Sequence, residues 1–139
     1  MEDAARHLVF HGAIVLIIGL MCGMPYGKAL NRKASEHTVQ AWRLAHLALP
    51  IGAILMFAVA AVLTPFMVTA TLKWIIAVSL IVSSYAFCFA LPLAAVTGHR
   101  GLSARGSFVA KLVYLGNSAG AFFSMLAALV LLYAGFVSL

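Results

Sequence analysis

Histidine is the residue type in this sequence best suited to bind a metal or to exchange protons near neutral pH. His7 and His11 are four residues apart, so they share one face of a helix and could hold a metal ion between them. A zinc site needs three or four ligands, however, and no carboxylate or cysteine is expected at their depth. His37 and His99 lie in basic stretches, where we expect them to be solvated.

His46 differs because it follows Trp42 and Arg43 inside an apolar segment. A single histidine in such a segment often serves only as a hydrogen-bonded packing residue, and that interpretation stays open. The alternative is haem ligation, for which one histidine is enough because the porphyrin supplies four further ligands. Cations that could hold the haem propionates are expected at the same membrane level: Arg43, Arg32, Lys33 and His37. Haem is therefore the most economical cofactor, with His46 as the metal ligand.

Two further polar groups lie in apolar segments. Asn117 follows Tyr114 by three residues, and Tyr85 follows two serines. A buried asparagine in lipid must find partners, which favours a hydrogen bond between helices. Contact with a substrate or cofactor is the alternative, so Tyr85 and Asn117 are candidate catalytic residues without a supporting motif.

The apolar segments contain no acidic residue, since Glu2, Asp3 and Glu36 lie at chain ends or in loops. Proton- and cation-coupled carriers commonly rely on a carboxylate within the membrane, because burial tunes its pKa for reversible loading. Its absence argues against a small multidrug transporter. A haem-free carrier or structural bundle nevertheless remains an alternative.

The elements that carry these residues are predicted to be membrane-spanning helices. Hydrophobic residues make up 65% of the 139-residue chain and charged residues 9%, which excludes a water-soluble domain. A membrane-spanning helix needs about 20 mostly apolar residues, so the chain has room for four and little else. The sequence therefore predicts an all-α, four-helix membrane bundle in a single domain, 1–139. The expected helices are 4–26, 39–63, 72–96 and 107–138.

The positive charge, +6 in total, is concentrated in the first and third loops and indicates membrane orientation rather than nucleic-acid binding. These loops carry Lys28, Arg32, Lys33, Arg100 and Arg105, whereas the opposite side offers only Arg6 and Lys73. Basic loops stay in the cytoplasm, so both termini are expected outside. The expected location is the inner membrane of a bacterium.

Small residues recur at four-residue spacing on two helices. Gly19, Gly23 and Gly27 form such a series on the first helix, and Gly116 and Gly120 form another on the last. This spacing lets helix backbones approach closely in a lipid bilayer. The series predict helix contacts within one chain, with an oligomer interface as the alternative for one of the faces.

Three short motifs make the chain resemble the styrene oxide isomerase family of small membrane enzymes. They are His11-Gly12 at the start of the first apolar run, Trp42-Arg43-Leu44-Ala45-His46, and Arg100-Gly101-Leu102 after the third helix. The resemblance covers nearly the whole chain. It implies haem b bound through His46, with Trp42 and Arg43 beside it, and a homotrimer with haem near the subunit interfaces.

The resemblance also implies an activity, the rearrangement of small hydrophobic epoxides to aldehydes with ferric haem as a Lewis acid. Two positions depart from the family, because Gly52 and Leu91 stand where it has an asparagine and a tyrosine. Neither replacement can orient an epoxide oxygen by a hydrogen bond. A haem protein without catalysis, acting in gas or redox sensing or in electron transfer, is therefore the second hypothesis.

Overall fold

The computed structural model describes residues 2–139, and within them all regular secondary structure is α-helical. Its helices are α1 (Asp3–Met21), α2 (Gly23–Asn31), α3 (Glu36–Leu63), α4 (Ala70–Thr97) and α5 (Phe108–Val137). Helices α1 and α2 together form one apolar segment, so four segments are long and apolar enough to cross a membrane. The prediction of an all-α bundle with four membrane spans is confirmed.

The first span runs to Asn31, five residues beyond the end that the sequence suggested at Tyr26. Pro25 has no N–H to donate to the carbonyl of Met21, which explains the break between α1 and α2 at Cys22. The interruption is local, because the amides of Cys22 and Tyr26 still reach carbonyls four residues earlier. Proline therefore weakens this helix without ending it.

Hydroxyl side chains begin the other three spans. Ser35, Thr69 and Ser107 each accept a hydrogen bond from a backbone amide three residues later. Such caps satisfy one of the free amides of a helix start and stabilise it by about 1 kcal/mol. Gly98 ends α4 in the left-handed conformation, with φ of 76°, which glycine adopts without a steric penalty. The loop 98–107 is thus bounded at both ends by residues that stop and start helices, Gly98 and Ser107.

Three helices, α1, α3 and α4, pack against one another, and α5 lies beside this group rather than closing a four-sided bundle. Helix α1 packs on α3, α3 on α4, and α4 on both α1 and α5. Among the helices that the structure describes, α5 packs its backbone against α4 alone. A crevice therefore opens between α3 and α5, with α4 as its floor.

Glycine allows the closest of these contacts. A Cβ on Gly19 would lie 2.4 Å from Cδ of Pro50, and one on Gly116 would lie 2.8 Å from Cβ of Ala90. A Cβ on Gly120 would lie 2.7 Å from the ring of Phe87. Both glycine series thus include residues at contacts within the chain, as their spacing predicted.

Lys73 is buried, although the sequence suggested a free charge at the end of α4 that faces the chain termini. Its Nζ donates to a carboxylate oxygen of Glu2 over 2.9 Å and to the backbone carbonyl of Thr64 over 3.3 Å. The ammonium group therefore joins the start of α1 to the end of α3.

Candidate functional site

The structure places His46 at the contact between α3 and the junction of α1 and α2. Its Nδ1 lies 3.0 Å from the carbonyl oxygen of Gly19. A carbonyl oxygen can only accept, so Nδ1 carries the proton and Nε2 keeps a free lone pair. This is the tautomer that a neutral imidazole needs to bind a metal through Nε2.

The absence of a side chain at Gly23 makes room for this imidazole. A Cβ there would lie 2.9 Å from Cε1 of His46 and 3.4 Å from its Nε2. The ring of Tyr26 stacks on the imidazole, with 6.1 Å between centroids and 28° between planes. The imidazole is thus held in place while its residue stays partly accessible.

The surroundings of His46 fit a flat apolar group bound from the membrane side. A Cβ on Gly27 would meet nothing within 4 Å, so open space lies one helical turn beyond Gly23. Three large apolar side chains near this edge are exposed: Leu20, Met24 and Leu47. Arg43 is exposed one turn before His46, on the side of the basic loops, where it could pair with an acidic substituent of the bound group. Trp42 is instead partly buried against the hydrophobic core.

A cluster of three histidine, cysteine or acidic residues able to hold a bare metal ion is absent from residues 2–139. His7 and His11 stack with ring centroids 5.9 Å apart, but Nδ1 of His11 lies 2.9 Å from the hydroxyl of Tyr85. His7 and His11 therefore do not form a metal-binding group with a third ligand in the described part of the chain.

An apolar cavity of about 380 Å³ lies on another face of α3; we call it the chamber. Gly52 and Leu91, the two departures from the family pattern, both line it. The other lining residues are Val15, Leu44, Ala48, Leu49, Ile51, Leu55, Leu80, Ser83, Ser84, Phe87 and Ser124. The two positions at which the sequence departs from the family pattern thus line the same cavity.

The three serines do not make the chamber polar, because each donates its hydroxyl to the protein. Ser83 donates to the carbonyl of Gly120 over 2.7 Å, and Ser124 donates to that of Ala121 over 2.9 Å. Ser84 donates to the sulfur of Met56 over 3.2 Å. A ligand in the chamber therefore meets no free hydroxyl donor, although the serine oxygens can still accept a hydrogen bond.

A larger and more polar cavity of about 640 Å³ adjoins the chamber at the end of the basic loops; we call it the vestibule. Leu44 and Leu91 line both cavities, so these two side chains form the boundary between them. The remaining lining residues are Glu36, His37, Gln40, Ala41, Ala94, His99, Arg100, Leu102 and Asn117. Together the chamber and the vestibule form the crevice between α3 and α5.

His46 and the crevice lie on different faces of α3. Most crevice residues on this helix recur at spacings of three and four: His37, Gln40, Ala41, Leu44, Ala48, Ile51, Gly52 and Leu55. Glu36 and Leu49 also line the crevice but lie toward the sides of the helix, and Leu49 reaches the contact with Gly19 as well. His46 belongs instead with Pro50 and Phe57, which contact glycines of α1. Residues with helical spacing share a face, so the body of α3 separates His46 from a ligand in the chamber.

The two candidate catalytic residues lie in separate places. Asn117 lines the vestibule, where its Oδ1 is buried and has no hydrogen-bond partner within residues 2–139. Tyr85 is bonded to His11 instead and lines neither cavity. The structure therefore brings Asn117, but not Tyr85, to the crevice.

Sequence reasoning missed two features of the site. Gly19 was noted for its small size, but not as the residue whose carbonyl orients His46. Backbone carbonyls have no sequence signature, so only the register of α1 against α3 reveals this bond. The boundary formed by Leu44 and Leu91 was missed because two leucines in apolar segments carry no signal of their own.

Comparison with known proteins supports the family resemblance. Residues 4–136, nearly the whole chain, match the family model described as styrene oxide isomerase. A search of curated proteins gives no match. The resemblance that rested on three short motifs is therefore confirmed at the level of the family.

Proposed function

Because the chain belongs to the styrene oxide isomerase family, we propose that it is a membrane haem b protein that rearranges epoxides to aldehydes, with His46 as the axial ligand. The observation that carries the proposal is the bond from Nδ1 of His46 to the carbonyl of Gly19. It fixes the ring and leaves Nε2 free, which is how proteins commonly prepare a ligating histidine.

Bound ferric haem would supply a Lewis acid for the epoxide oxygen. The rearrangement breaks one carbon–oxygen bond and moves a hydrogen between neighbouring carbons, so no atom or electron is gained or lost. It needs no carboxylic acid or amine from the protein. The protein's own contributions are to hold the cofactor and to bind the apolar body of the substrate away from water.

The positions of His46 and the chamber on different faces of α3 bear on the proposed assembly. A substrate in the chamber of one chain lies across a helix from the His46 of that chain. We therefore propose that the reacting site is completed by a second copy, whose chamber faces the cofactor. The trimer implied by the family resemblance would satisfy this requirement.

With Gly52 and Leu91 at these positions, the chamber lacks the two polar side chains that the family pattern would place there to orient the epoxide oxygen. An orienting hydrogen-bond donor commonly contributes about 3 to 4 kcal/mol to the stabilisation of a transition state. The chamber serines cannot replace it as they stand, because their hydroxyls are donated elsewhere. We therefore propose slower isomerisation than in family members that keep both polar residues.

The proposal is tested by the visible absorption spectrum of detergent-purified protein. We expect a Soret band in the wild type and its loss in His46→Ala. His99→Ala is the matched control, since the imidazole of His99 hydrogen-bonds the hydroxyl of Ser107 in the vestibule lining, on a different face of α3 from His46, and should leave the band unchanged. A full Soret band in His46→Ala would reject the ligand assignment.

Activity is tested separately, by incubating haem-loaded protein with styrene oxide and larger aryl epoxides and measuring aldehyde. A second candidate function, a haem protein without catalysis, is favoured by the lack of a free orienting donor in the chamber. A haem-loaded wild type that forms no aldehyde from any of these epoxides, yet binds carbon monoxide when reduced, would support that candidate.

The four apolar segments fit a multi-pass membrane protein. We propose that it lies in a bacterial inner membrane with the basic loops in the cytoplasm and both termini outside. The distribution of basic residues supports this orientation, because Arg6 and Lys73 lie on the side of the termini against Lys28, Arg32, Lys33, Arg100 and Arg105 on the other. Topology reporters fused at the C-terminus and in the loop before α5 should report opposite sides of the membrane, the C-terminus outside and the loop in the cytoplasm.

A further inference from the structure

The chamber is much longer than it is wide. Leu44 and Leu91 line its end at the vestibule. Leu55 and Leu80 line the opposite end, because α3 and α4 run in opposite directions. Eleven residues separate the two ends along each helix, which is about 16 Å at the rise of an α-helix. A volume of about 380 Å³ spread over this length has a mean cross-section of about 24 Å², so the length is about three times the width.

One long side of the chamber is open. Leu44, Ile51 and Leu55 line the chamber, yet each of these side chains is at least half exposed. They follow one another along the same face of α3, so the opening runs over the whole length of the chamber. A second copy can therefore approach a molecule in the chamber from the side, as the proposed function requires.

The depth of His46 decides which end of the chamber holds the epoxide group. Copies of one chain insert into a bilayer with one orientation, and a cyclic oligomer relates them by an axis normal to the membrane. The His46 of a second copy thus lies at the depth of the first, between Leu44 and Ala48 on α3. The epoxide is therefore expected next to the vestibule; this placement rests on the proposed function, in which the cofactor of the second copy completes the site.

Most of the chamber lies beyond this reacting end. Gly52 and Leu55 follow His46 by six and nine residues, about 9 and 14 Å along α3. A Cβ on Gly52 would meet nothing within 4 Å, so the space continues past it. A substrate enters from a bilayer that is as apolar as the chamber, so the burial of hydrocarbon alone contributes little and the fit of its shape decides.

We propose that the chain prefers rod-shaped aryl epoxides, namely styrene oxides with an unbranched apolar chain at ring position 4. The epoxide lies at the depth of His46, and the ring and its chain extend past Gly52 toward Leu55. The aryl ring stabilises the positive charge that develops when the carbon–oxygen bond breaks, because no charged side chain lines the chamber within residues 2–139. Isomerisation gives the arylacetaldehyde of the same formula, so no co-reactant is needed.

The test compares 4-butylstyrene oxide with 4-tert-butylstyrene oxide. These isomers have the same composition and an alkyl group at the same ring position, but the first is longer and the second wider. Aldehyde formation by haem-loaded wild type in lipid nanodiscs is the measurement. We expect kcat/KM to be about tenfold higher for the butyl isomer, equivalent to a difference of about 1.4 kcal/mol between the two barriers.

Gly52→Leu locates the determinant of this preference. Its side chain would enter the chamber about 9 Å past His46 and close the outer part, so the preference for the butyl isomer should disappear. Gly135→Leu is the matched control and should keep the preference, because Gly135 does not line the chamber and its Cβ would make an ordinary contact of 4.0 Å with Phe66. Loss of the preference in both variants would contradict the role of Gly52.

A binding measurement separates this inference from the proposed function. The hydrocarbons 4-butylstyrene and 4-tert-butylstyrene cannot isomerise, and a ligand that binds the folded state raises its Tm. At equal mole fraction in nanodiscs, we expect 4-butylstyrene to raise the Tm more, in the wild type and in His46→Ala alike. This result without any aldehyde from the epoxides would reject the isomerase function and support the rod-shaped ligand. Equal Tm shifts, or equal rates for the two epoxides, would overturn the inference and leave isomerisation itself intact.

Discussion

Gly19 and His46 are joined by a hydrogen bond of 3.0 Å between a backbone carbonyl and an imidazole nitrogen, 27 residues apart in sequence. The same glycine receives Pro50 of α3 so closely that no side chain could be added without movement. One residue therefore sets both the distance between α1 and α3 and the orientation of the proposed haem ligand.

Gly19→Ala should consequently disturb stability and haem binding together. The new Cβ would lie 2.4 Å from Cδ of Pro50 and 2.9 Å from Cβ of Leu49, so the helices must separate. Overpacking of this kind typically costs about 1 to 3 kcal/mol. We expect a lower Tm and a lower ratio of Soret to protein absorbance. Gly135→Ala is the control, since a Cβ there would lie 4.0 Å from Cζ of Phe66, an ordinary contact. Equal losses of Tm and Soret absorbance in the two variants would contradict the role of Gly19.

Glu2→Gln should destabilise the protein by leaving the ammonium group of Lys73 without its counter-ion. The Lys73 side chain is 7% exposed and that of Glu2 is 43% exposed, so the loss should be about 1 to 2 kcal/mol, smaller than for a fully buried pair. Combining it with Lys73→Met should recover much of the loss, because the buried charge is then removed. Chemical unfolding in detergent measures both effects, and additive losses in the double variant would argue against coupling.

Ser83→Ala should cost about 0.6 kcal/mol, the average for a hydrogen bond between membrane helices. It removes the bond of 2.7 Å to the carbonyl of Gly120, which joins α4 to α5. Ser124→Ala is the comparison, because Ser124 bonds only within its own helix and should cost less. A loss in Ser124→Ala equal to that in Ser83→Ala would contradict a special role for the interhelical bond.

Tyr85→Phe should leave epoxide isomerisation and haem content unchanged while slightly lowering stability. The Tyr85 hydroxyl contacts His11 and lines neither cavity of the crevice. Aldehyde formation per haem, compared between this variant and the wild type, is the measurement. A loss of more than about tenfold in rate would place Tyr85 in the reacting site after all, since that corresponds to about 1.4 kcal/mol of barrier.

Much of this architecture could be predicted from the sequence, because lipid imposes strong constraints. Apolar runs of membrane length define the four spans, and the glycine series predict where helices touch. The first span was predicted to end at Tyr26, next to Pro25, but it continues to Asn31. A helix inside a membrane can continue past a proline when neighbouring amides keep their partners, as those of Cys22 and Tyr26 do.

The site was only partly predictable. His46 could be singled out from the sequence, since one histidine beside a tryptophan and an arginine in an apolar helix is a distinctive pattern, and its role as a haem ligand stays a prediction. Its orientation depends on how α1 and α3 are aligned, which apolar sequence alone does not specify. The same holds for Gly52 and Leu91, whose shared cavity follows from the packing of α3 on α4.

Because α5 packs against α4 alone among the helices, the two walls of the crevice differ in how firmly the neighbouring helices hold them. The wall formed by α3 is fixed, because α3 is packed against α1 as well as α4. The wall formed by α5 can tilt about its contact with α4 while every contact among α1, α3 and α4 stays intact. The width of the crevice, and so the girth of the molecule it admits, can therefore change without loosening the pocket in which the imidazole of His46 is held.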